Sequence, residues 1–598
     1  MFKYLSKVLY IISGSRKKLL LLIFGFTISS FLEACGIGLL APFMRFASEP
    51  DLNLLPSFIA TTAAKFNIDS SREIIILLGF VIITFFCIKG IIYFSTQVYI
   101  FHFASSYKAK LSLRLLKAYL TVPYEFHLSR NTASLIKNIV IETNQLYQAC
   151  LLPLLNTISN IVIASFLLVL LAITDIRLLG LILLVFLPIF MLFHLLRNKF
   201  KRWGRIVSQS QQGMIRTISH ALGGLKETRT IGCEPYFERE MKHYVDRYAR
   251  SITFFQSSQV LPKSLIETVL IVSIMLFLIA TQLFSTQGIE EITGTLSVFA
   301  VAAIRLIPST SNVIKALAHI RNGSYALNML YSDLKDIERQ KSKSYRQLSL
   351  EGDRHRAKET KKVMSFGNRI ELKDVTYSYS GISEPALNKI SLSIKRGESI
   401  AFIGKSGAGK TTLVDVILGL LNLESGDILV DGVSIYENIR SWQNLIGYIP
   451  QTIFLTDETV ERNIAFGVAD SEIDETKIER AIDAAQLREL VEQLPDGIKT
   501  KVGERGIRLS GGQRQRIGIA RALYHEREIL VLDEATAALD NETEHLISEA
   551  IRALAGEKTL ITIAHRLSTI KHCDRIYLLE KGCVVKTGSY QEVVMQTY

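Results

Sequence analysis

Ser399-Ile400-Ala401-Phe402-Ile403-Gly404-Lys405-Ser406-Gly407-Ala408-Gly409-Lys410-Thr411 decides how the second part of this 598-residue chain folds. Ser399–Ile403 reads as a short apolar strand, and Thr411–Leu421 has the apolar spacing of a helix. Between them stands G-x-x-x-x-G-K-[ST], a phosphate-binding loop in the strand–loop–helix context that the motif requires. Its glycines let backbone N–H groups turn toward phosphate oxygens, and the helix N-terminus adds positive potential. Lys410 is placed to reach β- and γ-phosphates, while Thr411, followed by Thr412, offers an oxygen to Mg²⁺. A chance glycine-rich turn would need neither the strand nor the helix.

Working outward, Ile529-Leu530-Val531-Leu532 is a second apolar strand, and it ends in Asp533-Glu534. An acid at the end of a buried strand beside a phosphate loop is placed to hold Mg²⁺, which assigns Asp533 to the metal. Glu534 is then the general base for an attacking water. A third strand, Thr559–Ile563, delivers His565 toward the γ-phosphate. Apolar strands separated by helices imply a mainly parallel sheet with the ligand at the strands' carboxyl ends.

Leu509-Ser510-Gly511-Gly512-Gln513 opens a helix ahead of Asp533 and resembles the signature of the ABC ATPases. The resemblance covers the whole soluble half and implies several further roles. Tyr379 stands where the family stacks an aromatic on adenine. Gln451, after Tyr448-Ile449-Pro450, matches the glutamine that senses the γ-phosphate and Mg²⁺. Ala538-Leu539-Asp540 matches the loop that places Asp540 at the nucleotide. Thr500–Gly506 resembles a loop peculiar to exporters, with Lys501 where the family often has an acid. In this family the signature serine closes over ATP bound by the opposite subunit. The resemblance therefore implies a homodimer in which Ser510 of one copy completes the Lys410 site of the other.

The first half is of a different kind. Hydrophobic residues make up 48% of the chain and charged residues 21%. Residues 1–350 carry 37 Lys and Arg against 19 Asp and Glu, whereas 351–598 carry 32 against 37. That positive excess flanks long apolar runs instead of interleaving with aromatics on a soluble face, which argues against nucleic acid as a partner. Six runs are long enough to cross a bilayer, at roughly 19–46, 74–102, 148–174, 178–197, 258–284 and 293–318. The first is too long for a signal-peptide core and reads as a retained helix.

Lys3, Lys7, Arg16, Lys17 and Lys18 precede the first run, and Lys108, Lys110, Arg114, Lys117, Arg130 and Lys137 follow the second. Acidic residues (Glu49, Asp51, Asp69, Glu73, Asp175, Glu290, Glu291) dominate the other loops, so both termini are expected in the cytoplasm. The connections at 103–147 and 198–257 read as helices throughout, and Leu54–Phe66 as a short amphipathic surface helix. The six cysteines are too scattered for a disulfide framework and lack zinc-ligand spacing.

The expected architecture is an α-helical transmembrane domain of six spans (1–331), a charged linker (332–366) and an α/β P-loop ATPase domain of the ABC type (367–598). By resemblance this is a half-transporter of the bacterial cytoplasmic (inner) membrane, an ATP-driven exporter with ATP and Mg²⁺ as its cofactors. Its coupling segments are expected around Pro123–Asn138 and Gly223–Phe237. The first external loop, Gly223–Glu227 and Val298–Ser309 resemble bacterial flippases of polyprenyl-pyrophosphate-linked oligosaccharides and related glycolipid and polysaccharide exporters. The alternatives are export of drugs, of a lipid A-type lipid or of peptides. Glu33, Lys89, Glu267 and Arg305 lie within spans, where a charge faces a cavity or a partner. Two readings stay open. Lys89 and Arg305 line a cationic path for a phosphate-bearing head group, or they pair structurally with Glu33 and Glu267.

Overall fold

A computed structural model describes residues 2–11, 16–48, 71–174, 176–284, 306–321, 323–350, 363–379, 381–382, 384–534, 541–564 and 570–595. The chain divides into two compact units, Met1–Val122 with Arg130–Lys341, and Pro123–Ser129 with Ser342–Tyr598.

The first unit is helical. In chain order the helices are α1 (Phe2–Ile11), α2 (Arg16–Ser48) and α3 (Ser71–Thr121), followed by α4 (Tyr124–Leu128), which groups with the second unit. Then α5 (Thr132–Lys137) leads through π turns at Asn138–Glu142 and Leu146–Leu151 into α6 (Leu152–Thr174). After them come α7 (Ile176–Gly223), α8 (Leu225–Ile231), α9 (Glu234–Phe284), α10 (306–321) and α11 (Ser324–Leu350). α3 and α9 have 51 residues each. At 1.5 Å per residue such a helix runs about 76 Å, well over the ~30 Å of a hydrocarbon core. Both therefore extend far beyond any bilayer they cross.

The long polar connections are helical as expected, with short breaks. Pro123 lacks an N–H and ends the α3 ladder, and Gly232 closes α8 in the left-handed region at φ 72°. Among the described residues, Arg72–Thr121 and Thr132–Ile173 are long and apolar enough to cross a membrane. Phe80, Ile91 and Phe94 on α3 stay 65%, 67% and 68% exposed, a surface suited to lipid. α2 packs on α3 and α6, and α7 lies along α9, where Trp203 stacks on Phe254 at 5.8 Å. The surface helix expected at Leu54–Phe66 and the first part of the sixth span, 293–305, lie outside the described residues.

The expected linker needs correction at its start. α11 continues to Leu350, and Leu327, Leu330, Leu334 and Ile337 are buried at helical spacing. The exposed charges Lys335, Glu338 and Arg339 occupy the outer face and disguise the pattern. The first unit accordingly runs to Lys341 instead of ending at 331.

The second unit holds ten strands among its described residues: β1 (Arg369–Tyr377), β2 (Leu387–Lys395), β3 (Ser399–Ile403), β4 (Ser425–Val430), β5 (Val433–Ser434), β6 (Ile446–Ile449), β7 (Ile529–Asp533), β8 (Thr559–Ile563), β9 (Arg575–Glu580) and β10 (Cys583–Gly588). One sheet runs β10-β9-β3-β8-β7-β6 and is parallel except for β10. The other, β2-β1-β4-β5, is antiparallel, an addition the sequence pattern did not announce.

Besides α4, the α-helices of this unit among the described residues are α12 (Lys410–Ile417), α13 (Ile439–Gln443), α14 (Val460–Ile464), α15 (Glu475–Ala484), α16 (Arg488–Gln493), α17 (Gly511–Tyr524) and α18 (Asn541–Ala553). Two apolar clusters result. β1–β3 and α12 close over Phe402, Leu413 and Trp442, while α14–α17 close over Ile464, Ile482 and Ile517. β6 and β7 contribute to both clusters, because their alternate side chains point to opposite faces.

Candidate nucleotide site

The carboxyl ends of β3, β6, β7 and β8 converge, and each delivers one part of the site. Beyond β3 the phosphate loop takes conformations that only glycine adopts cheaply. Gly404 has φ 147°, and a Cβ there would lie 2.2 Å from the Leu579 carbonyl oxygen of β9. Gly409 has φ 100°, with the Ala386 carbonyl oxygen 2.8 Å from a Cβ. The loop is thus clamped from behind, and its exposed members Lys405, Ser406 and Gly407 face outward. Ala408 packs beneath them at 6% exposure.

The Lys410 ammonium donates to the carbonyls of Gly404 (2.8 Å) and Lys405 (3.1 Å), which holds it at the mouth of the loop. Burial lowers its pKa, opposed by the carboxylates of Glu534 and Asp533. Thr411 is exposed in the first turn of α12, and Thr412 is buried with its hydroxyl 3.1 Å from that of Tyr379. Tyr379 is also set edge-on against Tyr377 at 5.1 Å.

β7 ends in Asp533, whose carboxylate accepts from the Tyr448 hydroxyl at 3.3 Å. Burial raises the Asp533 pKa, the Glu534 charge adds to this, and Tyr448 and Lys410 oppose it. Glu534 lies in the left-handed region at φ 47°, and its N–H donates to the Ile563 carbonyl at 3.0 Å. A non-glycine residue held there stores on the order of 1–3 kcal/mol, sustained by the flanking strands. Gln451, just past β6, donates its side-chain amide to the Glu534 carboxylate at 2.7 Å. The register Ile449↔Leu532 makes these two residues neighbours.

Ser510 caps α17: its hydroxyl accepts from the Gln513 N–H at 3.2 Å, and its own N–H donates to the Gln513 side chain at 2.8 Å. This capping box fixes the start of α17, where Gly511 is exposed and Gly512 buried. α17 belongs to the α14–α17 cluster, whereas the phosphate loop belongs to the other.

The chain's sequence matches the ABC transporter family over residues 387–537 and the ABC transporter transmembrane region over 19–304. It is 30% identical over 517 residues to an "ATP-dependent lipid A-core flippase" of Ralstonia nicotianae, spanning 85% of this chain and 83% of that protein. The chain belongs to the ABC transporter family. A flippase of the same description from Francisella novicida is 30% identical over 539 residues, 88% of this chain and 86% of the relative. The fold also matches a bacterial Atm1-family ABC exporter with ATP bound, at TM-score 0.71 and 21% identity over 98% of this chain and 97% of the other.

This ABC half-transporter therefore binds ATP and couples its hydrolysis to transport as a multi-pass membrane protein. The residues fit ATP with Mg²⁺: at Gly404 and Gly409 a Cβ would strike a backbone carbonyl oxygen, and the exposed Thr411 hydroxyl, the buried Asp533 carboxylate and the Gln451 amide oxygen are donor types that suit a hard cation. Of the expected site residues, Gln451 and Glu534 meet directly. Asp540 and His565 lie outside the described residues, as does Arg305. Tyr448 was missed as a site residue, although its exposed position on the otherwise buried β6 marks it.

In the membrane half, Lys89 pairs with Glu33 at 2.7 Å, with side chains 8% and 9% exposed. Lys89 also sits 4.7 Å from the centre of the Phe86 ring. Glu267 lies 3.7 Å from Lys263 on the same helix, and both side chains are well exposed. Lys89 and Glu33 thus follow the pairing alternative, whereas Glu267 meets Lys263 instead of Lys89.

Proposed function

We propose that the transporter works as a homodimer that hydrolyses ATP to flip a phosphate-bearing glycolipid from the cytoplasmic leaflet outward. The cargo class spans lipid-linked oligosaccharides, glycolipids and lipid A-core types. The observation that carries this reading is that its relatives named lipid A-core flippase align through both halves, over 85% and more of the chain. Basic residues on one set of loops support cytoplasmic termini. The homodimer is supported by the likeness of Leu509–Gln513 to the family's signature, whose serine closes over ATP held by the opposite subunit.

In each site, Thr411, Asp533 and Gln451 would hold Mg²⁺, which when bound neutralises developing charge on the phosphates. Lys410 and the loop N–H groups orient the β- and γ-phosphates. Glu534, steered by Gln451, takes the proton of the attacking water at its carboxylate oxygen.

The test is ATPase and flipping activity in proteoliposomes against a polyprenyl-pyrophosphate oligosaccharide, a lipid A-core lipid, a phospholipid and a neutral drug. Stimulation and flipping confined to the glycolipids support the reading. Stimulation by the drug alone overturns it in favour of multidrug export.

A further inference from the structure

Asp533 is a buried carboxylate with little to hold it. It is 8% exposed, and among the described residues no Lys or Arg stands within ion-pair distance of it. The hydrogen bond its side chain takes there comes from the Tyr448 hydroxyl, which donates to Oδ2 at 3.3 Å. A carboxylate withdrawn from water ordinarily draws several donors or a cation. Tyr448 has no such need: it is 38% exposed, and its hydroxyl could turn to water instead.

The strands explain how the phenol gets there. On β6, Ile446, Gly447 and Ile449 are buried and Tyr448 alone is exposed. Tyr448 stands opposite Val531 of β7, whose side chain joins Leu413 and Val414 of α12 in one apolar cluster. Residues two apart on a strand share a face, so Asp533 follows Val531 on the α12 side, within reach of the phenol. Three residues after Tyr448, Gln451 donates to Glu534 at 2.7 Å. One strand and the turn after it thus supply a donor to each of two consecutive acids.

We propose that Tyr448 is a positioning residue for Mg²⁺: by holding Oδ2 it fixes the Asp533 carboxylate in the orientation that leaves Oδ1 for the cation's ligand shell. The inference rests on the assignment of Asp533 to Mg²⁺ in the proposed function. A donor acts on such a carboxylate in two opposed ways. It draws charge away, which weakens the pull on a cation, and it removes rotational freedom, which strengthens the site. At 3.3 Å the bond is longer than the ~2.5–2.7 Å of a strong O–H···O⁻ pair, so the loss of charge is small and orientation prevails.

The experiment is titration calorimetry on the full-length protein in nanodiscs with the non-hydrolysable analogue AMP-PNP, once with Mg²⁺ and once with EDTA. The ratio of the two dissociation constants is the metal's contribution, and a general weakening of the nucleotide site cancels from it. Tyr448→Phe should lower this ratio by about tenfold, the lower end of what partners of metal-binding side chains contribute, and leave the EDTA constant unchanged. Asp533→Asn should remove most of the ratio. If Asp533→Asn does so while Tyr448→Phe leaves the ratio unchanged or raises it, the role of Tyr448 is overturned and that of Asp533 stands. If Asp533→Asn itself leaves the ratio intact, the assignment of Asp533 fails and the inference fails with it.

Discussion

Gln451 holds Glu534 by an amide-to-carboxylate hydrogen bond of 2.7 Å, formed across the seam between β6 and β7. The bond fixes the carboxylate proposed as the general base and occupies the NH₂ arm of the amide, the oxygen arm being the one that suits a cation. Glu534→Gln keeps the shape and loses the base. It should bind ATP normally and hydrolyse it at least about 10²-fold more slowly, the lower end of what a general base contributes. Gln451→Ala should cost less, since it frees the base without removing it. ATPase rates alongside nucleotide binding separate the two, and a near-normal rate for Glu534→Gln would remove Glu534 from its role.

The glycines of the phosphate loop make a stability prediction. Gly404→Ala places a methyl 2.2 Å from the Leu579 carbonyl oxygen at a φ of 147°, so β9 or the loop has to move. The expected result is a lower thermal midpoint together with weaker ATP binding, with a cost of roughly 2 kcal/mol or more. Gly407, at φ 80° with open space around it, should tolerate alanine better, because only the backbone term applies. Equal midpoints for the two variants would show that the Leu579 clamp is unimportant.

That comparison marks what the sequence carries and what it does not. Gly404 through Thr411 are contiguous and their chemistry is local, so the motif could be read directly. The partners Leu579, Tyr448 and Ile563 come from strands far apart in sequence, and only the order β9-β3-β8-β7-β6 brings them together. The pair Glu33–Lys89 was one of two open readings, because burial and rotamer are properties of the packed helices. The start of the linker was misread for a simpler reason: charges on the outer face of α11 outweighed four buried aliphatic positions in the composition.

Asp415 on α12 gives a pH prediction. Burial, and then the Asp533 charge, push its carboxyl from 3.8 up to about 6. A carboxyl with a folded value above its unfolded one binds extra protons in the folded state. Its ionisation therefore costs stability as pH rises from about 4 through about 6, and the full cost persists above that window. Asp415→Asn removes the cost, so it should raise the thermal midpoint at pH 7.5, with the gain shrinking toward pH 4. A gain of the same size at both pH values would assign the effect to packing instead of ionisation.

The proposed dimer is tested by mixing lesions. Lys410→Ala disables the phosphate loop, and Ser510→Arg places a bulky cation at the start of α17. In a mixed dimer with crossed sites, both lesions fall in one site and the other is intact. Some ATPase activity should survive in the mixture although each mutant homodimer is inactive. A mixture as inactive as its parents would count against crossed sites, unless a dimer with one starting-type subunit is inactive too, which would reveal strict coupling between the sites.

The last prediction concerns Glu33 and Lys89, 2.7 Å apart and nearly inaccessible between α2 and α3. Gly36, one turn along α2, would bring a Cβ within 3.2 Å of Phe85, so the helices are already close and the pair has little room to rearrange. Removing one member of a buried pair leaves the other charged and alone, which typically costs about 3–5 kcal/mol. Lys89→Met should thus reduce folded yield and lower the thermal midpoint, and Glu33→Gln alone should do the same. The double variant Glu33→Gln/Lys89→Met leaves no charge behind and should recover both, because the pair's attraction roughly offsets the desolvation of its members. If the pair is structural, the recovered protein retains ATP hydrolysis and flips its cargo at the normal rate. A double variant that is stable and hydrolyses ATP but no longer flips cargo would return Lys89 to the transport path. The Phe86 ring 4.7 Å from the ammonium offers a control. Phe86→Leu should weaken the site by no more than about 1–2 kcal/mol, the scale of a desolvated cation–π contact, without stranding a charge.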